Sequence, residues 1–367
     1  MPLQTTVIGS YPKPRNLVAP DWFKIPHDKY SPAVFSEFND ANDVVELEKE
    51  VKAATREVID EQIKAGIDVI TDGEISRECY VFHFCRKVEG FDFANLILKT
   101  YRNGALKAPL PRIVSKIGPG SDEDWAAREW KQAQELSSVP VKYTIPGPMT
   151  IIGSTHNDFY TDVAELSKDL VKQVNKQIRG LAQAGCRHIQ LDEPVMVRNP
   201  DIAAEYGIDH AAQCFEGVGP EVTKTVHLCC GYPLHLDQTD YLKADRQVYF
   251  RLADQLDNAG FDAISIEDAH QHNDLKLLEQ FKKSKVVFGV IAIANSRVET
   301  VEEIRNRLGE ALQHIPADRL IVAPDCGLGF LPGTSFGRRL QIWSALPSLF
   351  LEYEHNLLLL LLFFQSR

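Results

Sequence analysis

The stretch Thr223-Lys-Thr-Val-His-Leu-Cys-Cys-Gly-Tyr-Pro233 carries chemistry that the rest of the chain must position. Thr223 to Val226 is β-branched and apolar enough for a short buried strand. It delivers His227 and Cys229 with one residue between them, and side chains two apart on an extended segment point the same way. An imidazole and a thiolate on one side make half of a zinc site. Two further ligand types stand at the ends of later apolar runs, Glu267 in Ala263-Ile-Ser-Ile-Glu-Asp268 and Cys326 in Leu320-Ile-Val-Ala-Pro-Asp-Cys-Gly-Leu-Gly329. Taken alone, His227 reads more readily as a satisfied core histidine and Cys229 as a small buried hydrophobe. The four together point to Zn²⁺.

The composition bounds what such a site serves. A net charge of −11 over 367 residues opposes a nucleic-acid partner, whose phosphates call for a basic face. The seven cysteines are odd in number and scattered, and the first residues show neither a charged nor an apolar leader pattern. That fits a reducing, cytoplasmic setting in which thiols serve as ligands or core fillers. The one long apolar run, Leu357 to Phe364, falls short of the roughly 20 residues that span a bilayer. Neither a nucleic acid nor a membrane is therefore expected as a partner.

The elements that hold the site follow a rhythm. Apolar segments near residues 5, 68, 142, 188, 223, 263, 286 and 320 read as strands. Helical patterns separate them over 39–64, 76–88, 123–136, 162–184, 200–216, 240–259, 271–282 and 301–312. An irregular Pro-rich stretch is expected up to about Phe35. Residues 91–120 lack a period and read as a hairpin or loop inserted after the second strand–helix unit. Eight alternating units predict an α/β chain folded as one (β/α)8 barrel of the TIM type. A doubly wound open sheet ranks second, because no glycine-rich phosphate turn follows the first strand. The predicted organisation is one domain over 1–332 and a divergent tail over 333–367.

In such a barrel, residues just past the C-terminal ends of the strands converge on one face. Here they are Ser10, Asp72, Glu74, Asp192, Glu193, His227, Cys229, Glu267, Asp268, Asp325 and Cys326. Asp72, Glu193 and Asp268 are individually best read as helix caps or loop residues. Two thiolates, one carboxylate and one imidazole around Zn²⁺ leave the centre net anionic. That suits holding a third thiolate that must stay nucleophilic more than polarising a carbonyl. A free alkyl thiol is only about 3% ionised at pH 7, so ligation adds roughly 2 kcal/mol to the reactive population. Glu267, the one hard oxygen donor, is the ligand expected to give way.

These motifs resemble the catalytic domain of the cobalamin-independent methionine synthase family, over about residues 5–332. The resemblance places that family's metal set on His227, Cys229, Glu267 and Cys326. It places substrate contacts on Ile8, Gly9 and Ser10 and on the acidic pair Glu74 and Asp192. It implies methyl transfer from a methylated folate to the thiolate of homocysteine; the relay histidine replaced by Ala294 turns the expectation towards a related donor such as a methylcorrinoid. Two carboxylates would grip an α-ammonium, and Ser10 with nearby N–H groups an α-carboxylate.

The chain departs from the family pattern in three places. The second, N-terminal barrel of the full-length synthase is missing from this sequence. The family's relay histidine after the seventh strand aligns with Ala294 in Gly289-Val-Ile-Ala-Ile-Ala-Asn-Ser-Arg297, which leaves the proton donor unassigned; His83, His156 and His270 are the alternatives. Residues 333–367 lack the expected amphipathic eighth helix. Two rival functions stay open, alkyl transfer to another small thiol of the coenzyme M kind and a non-catalytic protein that binds zinc and homocysteine.

Overall fold

The computed structural model describes residues 3–331, apart from 15–16, 18–20, 22–30, 42, 102–105, 123, 232, 234 and 239–242. The predicted tail therefore lies outside the described residues, as does the start of the helix expected from Asp240.

Seven parallel strands form one curled sheet. Among the described residues the strands are, in chain order, β1 (Gln4–Thr5), β2 (Val88–Tyr101), β3 (Leu106–Pro119), β4 (Tyr143–Pro146), β5 (His156–Asn157), β6 (His188–Asp192), β7 (Thr223–His227), β8 (Ala263–Ile266), β9 (Lys285–Gly289) and β10 (Leu320–Ala323). The large sheet runs β1-β10-β9-β8-β7-β6-β4, and every pairing in it is parallel. Its two edge strands are linked through residues 69 and 70. Thr6 bridges Val69 and Ile70 bridges Val141, both in parallel register. The Val69 amide donates to the Thr5 carbonyl at 3.1 Å, and the Lys142 amide to the Ile70 carbonyl at 2.7 Å. β2 and β3 pair antiparallel outside this sheet, with β5 beside β3.

The helices cover the sheet with apolar stripes. Val163–Ala184 buries Leu166, Leu170, Val174, Ile178 and Leu181, spaced three or four apart. Asp162 caps its first turn, and Gly185 ends it at φ 107°, where a side chain would be strained. Thr300 and Glu303 form a reciprocal capping box before Val301–Ala311. A second apolar cluster, separate from the main core, packs Ile8 against Ala263, Val287, Ile321 and Ala323.

Several elements differ from the sequence reading. Ala33–Ala41 is helical where irregular chain was expected to Phe35, and Asp43, rather than Asn39 or Asp40, caps the helix Val44–Lys64. Only Tyr80–Cys85 is helical within 76–88, because Cys79 is extended (φ −154°, ψ 131°) and starts the helix four residues late. Residues 200–213 form a short helix, a π-helical turn over Ala203–Gly207 and another short helix. The helix expected over 271–282 is a 3₁₀ segment, Leu275–Gln280.

Candidate metal and amino-acid site

The parallel register sets the site. Asp192 ends β6 opposite His227 at the end of β7, and Ser265 lies opposite His227 on β8. The His227 Nδ1 meets the Ser265 Oγ at 2.9 Å. That contact orients the ring and leaves Nε2 turned to the Cys326 sulfur, 3.5 Å away. One donor atom from each of His227, Cys229 and Cys326 lies within 4.8 Å of the others. The Cys229 thiol is held well below its ordinary value, first by the hydrogen bond from Cys326 and then by His227. Cys326 is pushed up by the same bond. Burial opposes charge on His227, but the bond and charge of Cys229 win and hold it above its usual range. A buried imidazole and two thiols that already share protons fit a cation of the zinc type.

Glu267 stands beside this trio. Its carboxylate groups instead with His270 and Asp325. It is 4% exposed; Oε1 accepts from the Lys243 ammonium at 2.6 Å, and Oε2 is buried with no hydrogen-bond partner. Burial raises its pKa, and Lys243 works against that rise. Burial without a partner leaves that oxygen open to a cation, and the Cys229 charge is among those that Glu267 feels.

Ser10, Glu74 and Asp192 are knitted to the same place. The amide of Leu328, two residues past Cys326, donates to the Ser10 carbonyl at 2.7 Å. A methyl group on Gly327 would sit 2.2 Å from the Ser10 Oγ, so only glycine lets that hydroxyl lie there. Thr71 Oγ1 donates to the Gly9 carbonyl at 2.8 Å, and the Tyr11 amide to the Gly73 carbonyl at 2.9 Å. Those bonds bring the turn at 9–11 against the turn at 71–74. Glu74 has φ 57°, a conformation that costs a non-glycine residue on the order of 1 kcal/mol and often marks a functional site. Its Oε1 accepts from Thr144 Oγ1 at 2.7 Å and lies 3.7 Å from the Arg77 guanidinium. Burial raises the Glu74 pKa, with Arg77 opposing.

Asp192 is the most perturbed of the substrate candidates. Burial pushes it up to about 7, against the pull of His227. Its Oδ1 accepts from Gln190 Nε2 at 2.7 Å, and the same amide donates to the Ile8 carbonyl at 2.9 Å. Gln190 Oε1 in turn accepts from Lys142 Nζ at 2.6 Å. Lys142 is buried and pushed down to about 7. Sequence reasoning missed Lys142, Gln190, Arg77, Thr144 and Lys243. The first two carried a signal, since a buried lysine just before β4 and a buried glutamine inside β6 need a polar reason.

The acidic residues read as caps have structural partners. Glu193 accepts from the Met149 and Thr150 amides and from the Thr150 hydroxyl. Asp268 takes a two-point contact from Arg307 at 2.7 and 2.8 Å. Asp325 accepts from the amides of Asp268, Ala269 and His270, tying two strand-end loops together. Cys230 is buried and raised by burial, and it bonds with Tyr249 rather than joining the trio.

Each alternative proton donor is engaged. His156 meets Asp158 at 3.2 Å, and His83 meets Glu129 at 2.8 Å. His270 Nε2 accepts from the Ala294 amide at 3.0 Å, and its Nδ1 meets Asp325 at 2.6 Å. A backbone amide can only donate, so that Nε2 carries no proton and Nδ1–H is spent on Asp325.

The comparisons with known proteins agree with one another. Residues 3–341 match the family described as cobalamin-independent synthase, catalytic domain. A methionine synthase of Saccharolobus solfataricus is 29% identical over 90% of this chain and 89% of its own length. One from Pyrococcus abyssi is 30% identical over 90% and 87%. Among solved structures, a B12-independent methionine synthase from Shewanella sp. W3-18-1, in complex with selenomethionine, has a TM-score of 0.82. It is 27% identical and covers 97% of this chain and 100% of its own.

Proposed function

Because the chain belongs to the family of the cobalamin-independent synthase catalytic domain, we propose that it is a zinc-dependent S-methyltransferase that makes methionine from homocysteine. The observation that carries this reading is the meeting of His227, Cys229 and Cys326 within 4.8 Å, with an orphaned Glu267 oxygen at the end of the neighbouring strand. These four residues would hold the metal, which when bound would keep the substrate sulfur as thiolate at neutral pH. Asp192 and Glu74 would take the α-ammonium. Ser10, with the backbone around Ile8 and Gly9, would take the α-carboxylate. The Shewanella structure, with its bound selenomethionine, supports an amino-acid site of this kind.

The same reading closes the sheet into a (β/α)8 barrel over residues 1–332. Residues 69 and 70, bridged on both sides, supply the eighth stave, and β2–β3 is the insertion.

The methyl donor follows from the missing acid. A tertiary amine leaves poorly unless protonated, and a positioned acid contributes roughly 10²- to 10⁴-fold. Ala294 has no proton to give, and His270 spends its own on Asp325. Arg297, paired with Glu303 at 3.0 Å, is too weak an acid. A donor whose leaving group needs no proton, such as a methylcorrinoid, is therefore favoured over a methylfolate.

Zinc-loaded protein with homocysteine tests both parts. Methionine should form, faster from methylcobalamin than from methylfolate. Equal or faster turnover of methylfolate would overturn the donor assignment, and methylation of coenzyme M in place of homocysteine the substrate. Failure of every donor in a single turnover would leave the non-catalytic binder.

A further inference from the structure

We propose that Lys243 is a positioning residue that receives the Glu267 carboxylate when the substrate sulfur takes its place at the metal. The inference rests on reading His227, Cys229, Glu267 and Cys326 as the zinc set. It is carried by an asymmetry in one buried side chain. Oε1 of Glu267 lies 2.6 Å from the Lys243 ammonium, while Oε2 has no hydrogen-bond partner. The two side chains are 17% and 4% exposed, so the pair is shielded from water. One oxygen is thus committed to a protein cation, and the other is left for a second positive centre.

The surroundings make that division useful. Asn273 Nδ2 donates to the Glu267 carbonyl at 2.7 Å, which fixes the backbone and leaves the carboxylate to move by side-chain rotation. Asp325 lies in the same cluster as Glu267, so a released carboxylate would face a second anion. The segment bearing Lys243 is tied down as well, by the Ala244 amide donating to the Cys230 carbonyl at 2.8 Å.

The charges show when Lys243 matters most. With zinc bound, Cys229, Cys326 and Glu267 would place three negative charges against it. An incoming thiol that gives its proton to solvent would add a fourth. Were its sulfur to replace the carboxylate oxygen, that oxygen would be left buried, and a buried carboxylate without a partner is strongly disfavoured. Lys243 already holds the other oxygen of that carboxylate. The exchange then needs only a small rotation and leaves no bare charge. Lys243 accordingly governs affinity for thiols more than it governs retention of the metal.

The test uses the full chain loaded with Co²⁺, comparing Lys243→Met and Lys243→Arg with the parent. Homocysteine is titrated while the thiolate-to-cobalt absorption is followed, and methionine binding is measured in parallel. Lys243→Met should keep one cobalt per chain and bind homocysteine roughly 10- to 100-fold more weakly. Its affinity for methionine, which brings no thiol, should be unchanged, and Lys243→Arg should recover part of the loss. Unchanged homocysteine affinity, loss of cobalt, or an equal loss of methionine binding would each overturn the proposal. Glu267→Gln serves as the separate control. An unaltered cobalt spectrum in that variant would remove Glu267 from the ligand set and the proposal with it. An altered spectrum alongside an indifferent Lys243→Met would overturn the role of Lys243 alone.

Discussion

Replacing Asp192 by Asn tests how the site holds an amino acid, and the structure sets the size of the effect. Asp192 is 7% exposed and pushed up to about 7 by burial. One oxygen is held by Gln190, and the carboxylate must be ionised to pair with an α-ammonium. With a pKa near 7, about 9% of the group is ionised at pH 6 and about 91% at pH 8. Metal-free protein should therefore bind methionine roughly tenfold more tightly at pH 8 than at pH 6, since the ammonium of a free amino acid, beside its own carboxylate and unlike a chain terminus, stays mostly charged across that window. At pH 8, Asp192→Asn should lose about 1.5–3 kcal/mol, or roughly 10- to 150-fold, and its pH profile should flatten. The sign also applies to folding. A carboxyl raised above its unfolded value holds its proton longer when folded, so its share of stability is complete below about pH 4 and is lost as pH rises through about 7. The metal-free variant should then be the more stable protein above pH 7. Calorimetric titrations at the two pH values decide the binding claim. Affinity that is flat or falls with pH, or a pH dependence that survives in Asp192→Asn, would refute the reasoning.

Two further substitutions probe the packing around the site. Gly9→Ala places a methyl group 2.6 Å from Glu74 Oε1, which Thr144 and Arg77 keep from slipping away. Methionine binding should weaken about tenfold with metal content unchanged, as measured by calorimetry and elemental analysis. Cys230→Ala should keep its zinc and Cys229→Ala should lose it. The reverse pattern in metal analysis would move the ligand by one residue.

The strands and the trio of metal-type donors were legible because both follow from local rules. An apolar run with β-branched residues marks a strand, and its last residues in a parallel sheet land on one face. The spacing of His227 and Cys229 carried their common direction. The helix Val163–Ala184 was legible from its period and caps. Long-range pairings were not. Nothing around residue 243 announces that Lys243 reaches Glu267, 24 positions on. The capture of His270 by Asp325 and by the Ala294 amide depends on three separate loops meeting. The extended backbone at Cys79 shortened a helix whose pattern promised more. The two-residue bridging of 69 and 70 left a strand signal with little ladder to show for it.

X-ray absorption at the zinc edge, recorded before and after homocysteine is added, tests the central claim most directly. The protein as isolated should hold one zinc per chain with two sulfurs at about 2.3 Å and two lighter donors at about 2.0–2.2 Å. With homocysteine the count should rise to three sulfurs and one lighter donor as the carboxylate gives way. A sulfur count that stays at two, or protein that binds no zinc, would contradict the account.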